Sequence, residues 1–175
     1  MRTRLLLAFL ILAPLGIAKA APFDEARIWT VTLREADGEQ WCEATALGQD
    51  KSGQMYSIAF RWTDAGVDLV LSYDGDASTA DRVGISLDQR QAASLAVAVC
   101  GAMERDYLGQ SRSQPTVIAP ISAAVFKRTI APAMLRARTL TVQLGPRRFE
   151  MTTHQFDDTL GALARCQAAM RRSLQ

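Results

Sequence analysis

The chain has 175 residues, of which 49% are hydrophobic and 22% charged, and its formal net charge is +2. This length is enough for one domain with a substantial core. We find no linker, internal repeat or low-complexity segment that would divide the chain, so a second domain is not expected.

Residues 1–20 have the features of an export signal. Two arginines precede an apolar run at 5–17, and Ala18-Lys19-Ala20 fits the small-x-small rule for cleavage. The run is shorter than the roughly 20 residues that a transmembrane helix needs. We therefore predict cleavage after Ala20, no stable membrane insertion, and a single periplasmic or secreted α+β domain at 21–175.

Charge is unevenly distributed along the predicted mature chain. Residues 21–109 hold 7 basic and 15 acidic residues, whereas residues 110–175 hold 10 basic and 3 acidic. Either the two halves pack so that their fields cancel, or the second half presents a basic face to an anionic partner. Few aromatic residues accompany the basic residues of the second half, which argues against nucleic-acid binding. The candidate basic face consists of Arg136, Arg138, Arg147, Arg148, Arg171 and Arg172.

Four strands are predicted first, at 29–33, 41–47, 56–62 and 67–73. In the third, large apolar residues alternate with small or polar ones from Tyr56 to Trp62, the period of a strand. Short turns between the strands predict an antiparallel meander with one packed face and one solvated face. The side chains assigned to the solvated face are Ser57, Arg61, Asp68 and Ser72.

The pattern changes in the middle of the chain. Ser86 and Gln89 resemble a capping box, apolar residues then recur at helical spacing as far as Met103, and Gly109 fits a helix stop. We therefore predict a long helix from 86 to about 108.

The remainder is predicted to be a short strand, two short helical stretches, a hairpin and a closing helix. This pattern predicts an α+β fold, an antiparallel β-meander with packed helices and a C-terminal helix covering the sheet. The predicted elements are a strand at 116–119, a helical turn at 122–130, a helix from Pro132 to Arg138, a hairpin of Thr139–Leu144 and Arg148–Thr153, and a helix from Phe156 onward.

Three cysteines remain after the predicted cleavage, and three pairings are possible. In an oxidising compartment we expect one disulfide and one remaining thiol. We favour Cys42–Cys166, because it joins an early strand to the closing helix, and we keep Cys100–Cys166 as the alternative. In the favoured pairing, Cys100 is predicted to be a small buried residue of the central helix.

The sequence offers little catalytic chemistry. His154 is the only histidine, which excludes a His-rich metal site, and no Gly-x-Ser-x-Gly motif is present. We predict no catalytic residue, metal or cofactor, and favour a non-enzymatic domain that binds a protein or a cell-envelope component. A secreted hydrolase that relies on His154 is one alternative.

Two segments carry a resemblance to known proteins. They are Trp29-Thr-Val-Thr with Trp41-Cys42-Glu-Ala44, and the ending from Phe149-Glu-Met to Leu160-Gly-Ala-Leu163-Ala-Arg-Cys166. Together they resemble segments of a group of small proteobacterial periplasmic proteins that have no assigned activity. The resemblance implies export and a disulfide between a strand and the last helix, which is consistent with Cys42–Cys166.

A shorter segment, Ser52-Gly53-Gln-Met-Tyr56, is similar to the Ser-Gly-x-x-Tyr loop of periplasmic lysozyme inhibitors of the small β-barrel kind. In that family, the serine and glycine enter the lysozyme cleft. The resemblance makes Ser52, Gly53 and Tyr56 candidate binding residues and implies a lysozyme inhibitor as a further alternative function.

Overall fold

The structure, a computed structural model, describes residues 22–25, 29–36, 38–63, 66–107 and 110–173. The predicted export signal and its cleavage site lie outside the described residues, as does Gly109. The strands are β1 (Pro22–Glu25), β2 (Trp29–Ala36), β3 (Glu39–Gln49), β4 (Met55–Thr63), β5 (Gly66–Tyr73), β6 (Arg82–Leu87), β7 (Arg90–Ala96), β8 (Val99–Tyr107), β9 (Gln110–Ile121), β10 (Thr139–Leu144) and β11 (Arg147–Thr152). The helical elements are α1 (Ala123–Val125), a π-helix (Phe126–Ile130), α2 (Ala131–Met134) and α3 (Phe156–Ser173).

The strands described form two antiparallel sheets. The first has the order β1-β2-β3-β4-β5-β9-β8, and the second has the order β11-β10-β6-β7. Strands β2 to β5 are consecutive neighbours, which confirms the predicted meander, and β10 and β11 form the predicted hairpin. With α3 packed against β2 and β3, the fold is α+β, as the sequence predicts.

Aromatic side chains fill the space between the sheets and α3. The Phe60 ring contacts the rings of Trp29, Phe126 and Phe156, with centroids 6.0, 5.2 and 6.2 Å away. All four side chains are at most 2% exposed. Burying each such side chain stabilises the fold by about 2–3 kcal/mol, before the conformational entropy cost is subtracted.

A disulfide fixes α3 to the first sheet. Cys42 of β3 and Cys166 of α3 are bonded, with their Cα atoms 6.1 Å apart, which confirms the favoured pairing. Asp157 and Asp158 lie in the first turn of α3, and Arg171 and Arg172 lie in its last turn. Both placements are favourable in the field of the helix dipole.

The predicted helix at 86–108 is wrong, because residues 86–107 belong to β6, β7, β8 and the short connections between them. Alanine and leucine favour helices, but pairing of β6 with β10 and of β8 with β9 outweighs that local preference. Cys100 is therefore not a buried helical residue. It is exposed on β8, and its thiol donates a hydrogen bond to the Ser78 carbonyl oxygen at 2.9 Å.

The second face of the meander is less solvated than predicted. Ser57 and Ser72 are buried, and the Ser72 and Thr116 hydroxyls share a hydrogen bond of 2.9 Å. For Ser72 the expectation fails because β9 pairs with β5 and supplies Thr116 as a polar partner. Arg61 and Asp68 are half-buried on the same face and form an ion pair of 3.2 Å.

The outer edge of β11 is joined to the first sheet through side chains. The Tyr56 hydroxyl donates to the Glu150 carbonyl oxygen, and Trp29 Nε1 donates to the Thr152 carbonyl oxygen at 3.2 Å. Since unpaired edge carbonyls invite a foreign strand, these two bonds both connect the sheets and protect the edge.

The predicted helical turn at 122–130 is confirmed, and it continues into α2 as one helical segment at 123–134. The predicted helix from Pro132 to Arg138 is confirmed only in part, because α2 ends at Met134. Ser122 caps its start, because its hydroxyl accepts from the Val125 amide at 3.2 Å. None of the helices in the described part of the chain is long and apolar enough to cross a membrane.

Candidate functional site

The turn between β3 and β4 is held in one conformation by Asp50. Its carboxylate accepts hydrogen bonds from the Ser52 hydroxyl at 2.6 Å and from the Ser52 and Gln54 amides at 2.8 and 3.0 Å. The Ser52 hydroxyl is the main reason that the pKa of Asp50 lies below its ordinary value. Gly53 has a φ of +86°, a backbone angle that residues with a side chain rarely adopt. Ser52 and Gly53 are therefore exposed on a preorganised turn.

Tyr56, the third residue of the inhibitor-like segment, is buried beneath this turn. Its ring packs edge-on against Phe149 with centroids 5.2 Å apart, and its hydroxyl is engaged by the Glu150 carbonyl oxygen. Burial is the main cause that raises its pKa above the ordinary value. A Cβ at Gly48 would lie 2.4 Å from the ring, so glycine is required there. The structure thus places Tyr56 as a support for the turn.

Arg147 and Arg148 lie at the start of β11, beside the turn. Arg148 forms an ion pair with Glu150 at 2.6 Å, with both side chains about half exposed. The Arg147 guanidinium lies 4.9 Å from the centre of the Tyr73 ring and donates to the Asp74 carbonyl oxygen at 3.4 Å. Arg148 consequently faces solvent next to the turn, whereas Arg147 is packed behind it.

These residues line two neighbouring cavities of about 700 and 290 Å³, which share Asp50, Tyr56 and Arg148. Cavities in this size range accommodate small molecules or the side chains of a partner protein. Two acidic and two basic side chains line the larger cavity, so it selects for neither anions nor cations. We call this larger lining the turn surface, and it consists of Gln49, Asp50, Lys51, Ser52, Tyr56, Arg148 and Glu150.

The structure does not bring the predicted basic residues around one cavity. Arg147 and Arg148 lie beside the turn, whereas Arg136 lines a different cavity with Arg90 and Arg128. Arg138 is exposed, and its backbone amide donates to Asp88 at 2.9 Å. Arg171 and Arg172 are exposed at the end of α3.

His154 lies in the connection between β11 and α3. It is exposed, and its backbone amide donates to the Thr152 hydroxyl at 3.1 Å. Among the described residues, no carboxylate lies within ion-pair distance of its imidazole. The arrangement that a Ser-His-Asp site requires is therefore not seen around this residue in the described part of the chain.

The sequence alone does not indicate Lys51 and Glu150 as members of the turn surface, nor Arg90 and Arg128 as members of any site. The register of the β10–β11 hairpin, which places Arg148 and Glu150 on one side of β11, is the signal that could have paired those two. No comparable signal exists for Arg90, because the apolar residues around it recur at a spacing that also fits a helix.

Together, these features define an α+β domain of two antiparallel sheets with a disulfide-linked terminal helix and a preorganised, mixed-charge turn. The structure is similar to the crystal structure of invasion associated protein B from Bartonella henselae, with a TM-score of 0.52 and 12% sequence identity. The alignment covers 81% of this chain and 94% of that protein. At this identity the similarity shows a shared fold alone. No family model matches the chain, and no curated protein matches it significantly.

Proposed function

We propose that this chain is an exported, non-enzymatic domain that binds a protein or another cell-envelope component through the turn surface. The observation that carries the proposal is that Ser52 of the exposed turn and the Arg148–Glu150 ion pair line one cavity. The disulfide is compatible with an extracytoplasmic location, and the amino-terminal sequence supports export.

The physical basis of the proposal is preorganisation. Asp50 fixes the turn by three hydrogen bonds and Tyr56 anchors its base, so little conformational entropy is lost when a partner binds. Charges of both signs around an exposed serine favour a partner with a complementary mixed surface, which gives specificity more than affinity.

A photo-crosslinking amino acid in place of Lys51 tests the proposal in intact cells. We expect a discrete adduct with an envelope protein or with cell-wall material, and we expect it to disappear when Asp50→Ala releases the turn. The matched control is the same amino acid in place of Ala164, an exposed residue of α3 that lines neither this cavity nor any other cavity described. Equal adducts at both positions, or none at Lys51, would count against the turn surface.

A c-type lysozyme is one specific partner that the exposed turn favours. Ser52 and Gly53 are exposed at the tip of the β3–β4 hairpin. An inhibitor loop that enters a cleft must be exposed in this way. We propose that these residues enter the cleft and that the Ser52 hydroxyl, whose proton is donated to Asp50, accepts a hydrogen bond there.

Purified protein should then slow the lysis of cell walls by a c-type lysozyme. Ser52→Ala should weaken inhibition by about tenfold or more, because it removes this bond and also the bond to Asp50 that fixes the turn. Ser113→Ala, at another exposed serine, should leave inhibition unchanged. Undiminished lysis in a large molar excess of the protein would eliminate lysozyme as the partner. It would not affect the broader proposal, which the crosslinking experiment tests separately.

A further inference from the structure

A second cavity, of about 690 Å³, lies between the turn of the β6–β7 hairpin and the helical segment. Three arginines line it, namely Arg90 from β7, Arg128 from the π-helix and Arg136 just after α2. We call this cavity the arginine groove. It shares no lining residue with the turn surface, so it is a separate candidate site.

The groove carries an excess of positive charge. Its three arginines are exposed, and none forms an ion pair with another residue in the described ranges. The single acidic side chain in the lining is Asp88. One of its oxygens accepts from the Arg138 and Thr139 amides, at 2.9 and 3.0 Å. Three arginines against one aspartate leave a formal charge of +2.

Each wall of the groove is fixed by the fold. The hairpin turn places Asp88 and Gln89 at φ values of 45° and 67°, and the Asp88 amide also donates to the Thr139 carbonyl oxygen at 3.0 Å. In the π-helix, Phe126 and Ile130 are buried on either side of exposed Arg128. A π-helical turn is an uncommon conformation that occurs frequently at functional sites.

Apolar side chains complete the lining. They come from Leu87 and Ala92 in the hairpin and from Ala133 and Ala137 in and after α2. A ligand that fits therefore presents an anionic group to the arginines and an uncharged body to this apolar part of the groove.

We propose that the arginine groove binds a phosphate monoester. A monoester phosphate carries about −1.5 to −2 charges at neutral pH, which matches the +2 of the groove. It also offers three acceptor oxygens, whereas a carboxylate can be satisfied by one bidentate arginine. The monoester can belong to a free organic phosphate or to the headgroup of a lipid, and the chemistry recognised is the same.

Calorimetric titration of the purified protein with phenyl phosphate tests the proposal. We expect saturable binding that weakens with added salt, and at least about tenfold weaker binding of benzoate, which has the same apolar body but only a carboxylate. Inorganic phosphate should bind more weakly than phenyl phosphate, because it leaves the apolar part of the groove empty.

Arg128→Gln and Arg136→Gln should each weaken phenyl phosphate binding by about tenfold. Arg138→Gln is the matched control, since this exposed side chain does not line the groove, and it should change affinity by less than about twofold. Circular dichroism of each variant verifies that the fold is retained.

Vesicles that contain phosphatidic acid, compared with neutral phosphatidylcholine vesicles, identify the source of the phosphate. Vesicle binding that Arg128→Gln abolishes assigns a lipid headgroup, whereas phenyl phosphate binding without vesicle binding assigns a free ligand, and either result supports the site. Three results overturn it: no phenyl phosphate binding at millimolar concentrations, an equal loss in Arg138→Gln, or tighter binding of an oligoglutamate peptide.

Discussion

Two regions of the molecule differ in how deeply their side chains are buried. We call strands β2 to β4 with helix α3 the clasped region, and strands β7 and β8 the central region. In the clasped region, Trp29, Phe60 and Phe156 form one continuous aromatic core, and a disulfide links β3 to α3. In the central region, none of the described side chains from Arg90 to Met103 is fully buried.

This difference shows that the pairing of a strand in a sheet does not determine how much that strand contributes to the stability of the fold. The clasped region is stabilised by burial of large apolar surface, which accounts for most favourable folding energy. The central strands depend on backbone hydrogen bonds to β6 and β9 and on small side chains such as Ala92 and Ala93. Substitutions should therefore have much larger effects in the clasped region.

Removing the disulfide should show the largest contrast. Replacing both Cys42 and Cys166 with alanine should lower the free energy of unfolding by about 4–5 kcal/mol, because the bond closes a long loop in the unfolded chain. The two cysteines are 124 residues apart. Cys100→Ser, in the central region, should change the free energy by less than about 0.5 kcal/mol. Urea denaturation without reductant measures both, and similar losses would abolish the contrast.

Truncation of a core side chain should come next. Phe60→Ala should cost about 4 kcal/mol, because it removes a ring that contacts four other aromatic rings. Leu95→Ala, at a partly buried position of β7, should cost about 1 kcal/mol. Thermal and urea unfolding compare the two variants, and a larger loss for Leu95→Ala would show that the central region contributes more than its burial indicates.

Glycine-to-alanine substitutions should give a smaller difference in unfolding free energy between the two regions. Gly48→Ala in β3 should cost about 2 kcal/mol, because the new Cβ meets the Tyr56 ring at 2.4 Å. Gly101→Ala in β8 has nothing within 4 Å of its Cβ and should be neutral or slightly stabilising. Chemical denaturation gives both values, and a neutral Gly48→Ala would mean that the ring moves freely.

Loss of a single hydroxyl should have the smallest effect. Tyr56→Phe removes the bond to the Glu150 carbonyl oxygen and should cost about 1 kcal/mol at neutral pH.

The same variant makes a prediction about pH. Burial raises the pKa of Tyr56 in the folded protein above its unfolded value of about 10, so folding favours the neutral phenol. This contribution is fully present below pH 10 and is lost as the pH rises through the folded pKa. The difference in unfolding free energy between wild type and Tyr56→Phe should therefore narrow above pH 10, and a difference that widens would contradict it.

The sequence predicts the clasped region well because its inward residues are large and alternate strictly. Tyr56 to Trp62 show a period of two that no helix would share, and Phe156 opens a helix with acidic residues in its first turn. In the central region, alanine, leucine and valine are spaced so that they fit a helix as well as a strand. Only the pairing with β6 and β9, which is not local in sequence, decides between them.

The candidate sites divide in the same way. Ser52 and Gly53 form a turn that the local sequence reveals, because aspartate, serine and glycine each favour turns for a known reason. The arginine groove combines Arg90 with Arg128 and Arg136, which lie 38 and 46 residues further along the chain. Their proximity depends on a hairpin that composition does not indicate. The sequence therefore predicts an excess of positive charge in residues 110–175, but it does not predict the position of the arginine groove.

The spacing of the three cysteines has a consequence for how the nascent chain matures. During synthesis from the amino terminus, the thiol at 100 becomes available to Cys42 well before Cys166 does. A bond between the first two would be non-native, and it would have to be opened by thiolate attack before α3 can dock. We expect Cys100→Ser to reach the oxidised native form faster than wild type when both are refolded from the reduced state, and a disulfide isomerase to remove most of that difference. Equal rates for the two proteins would show that position 100 does not trap the folding chain.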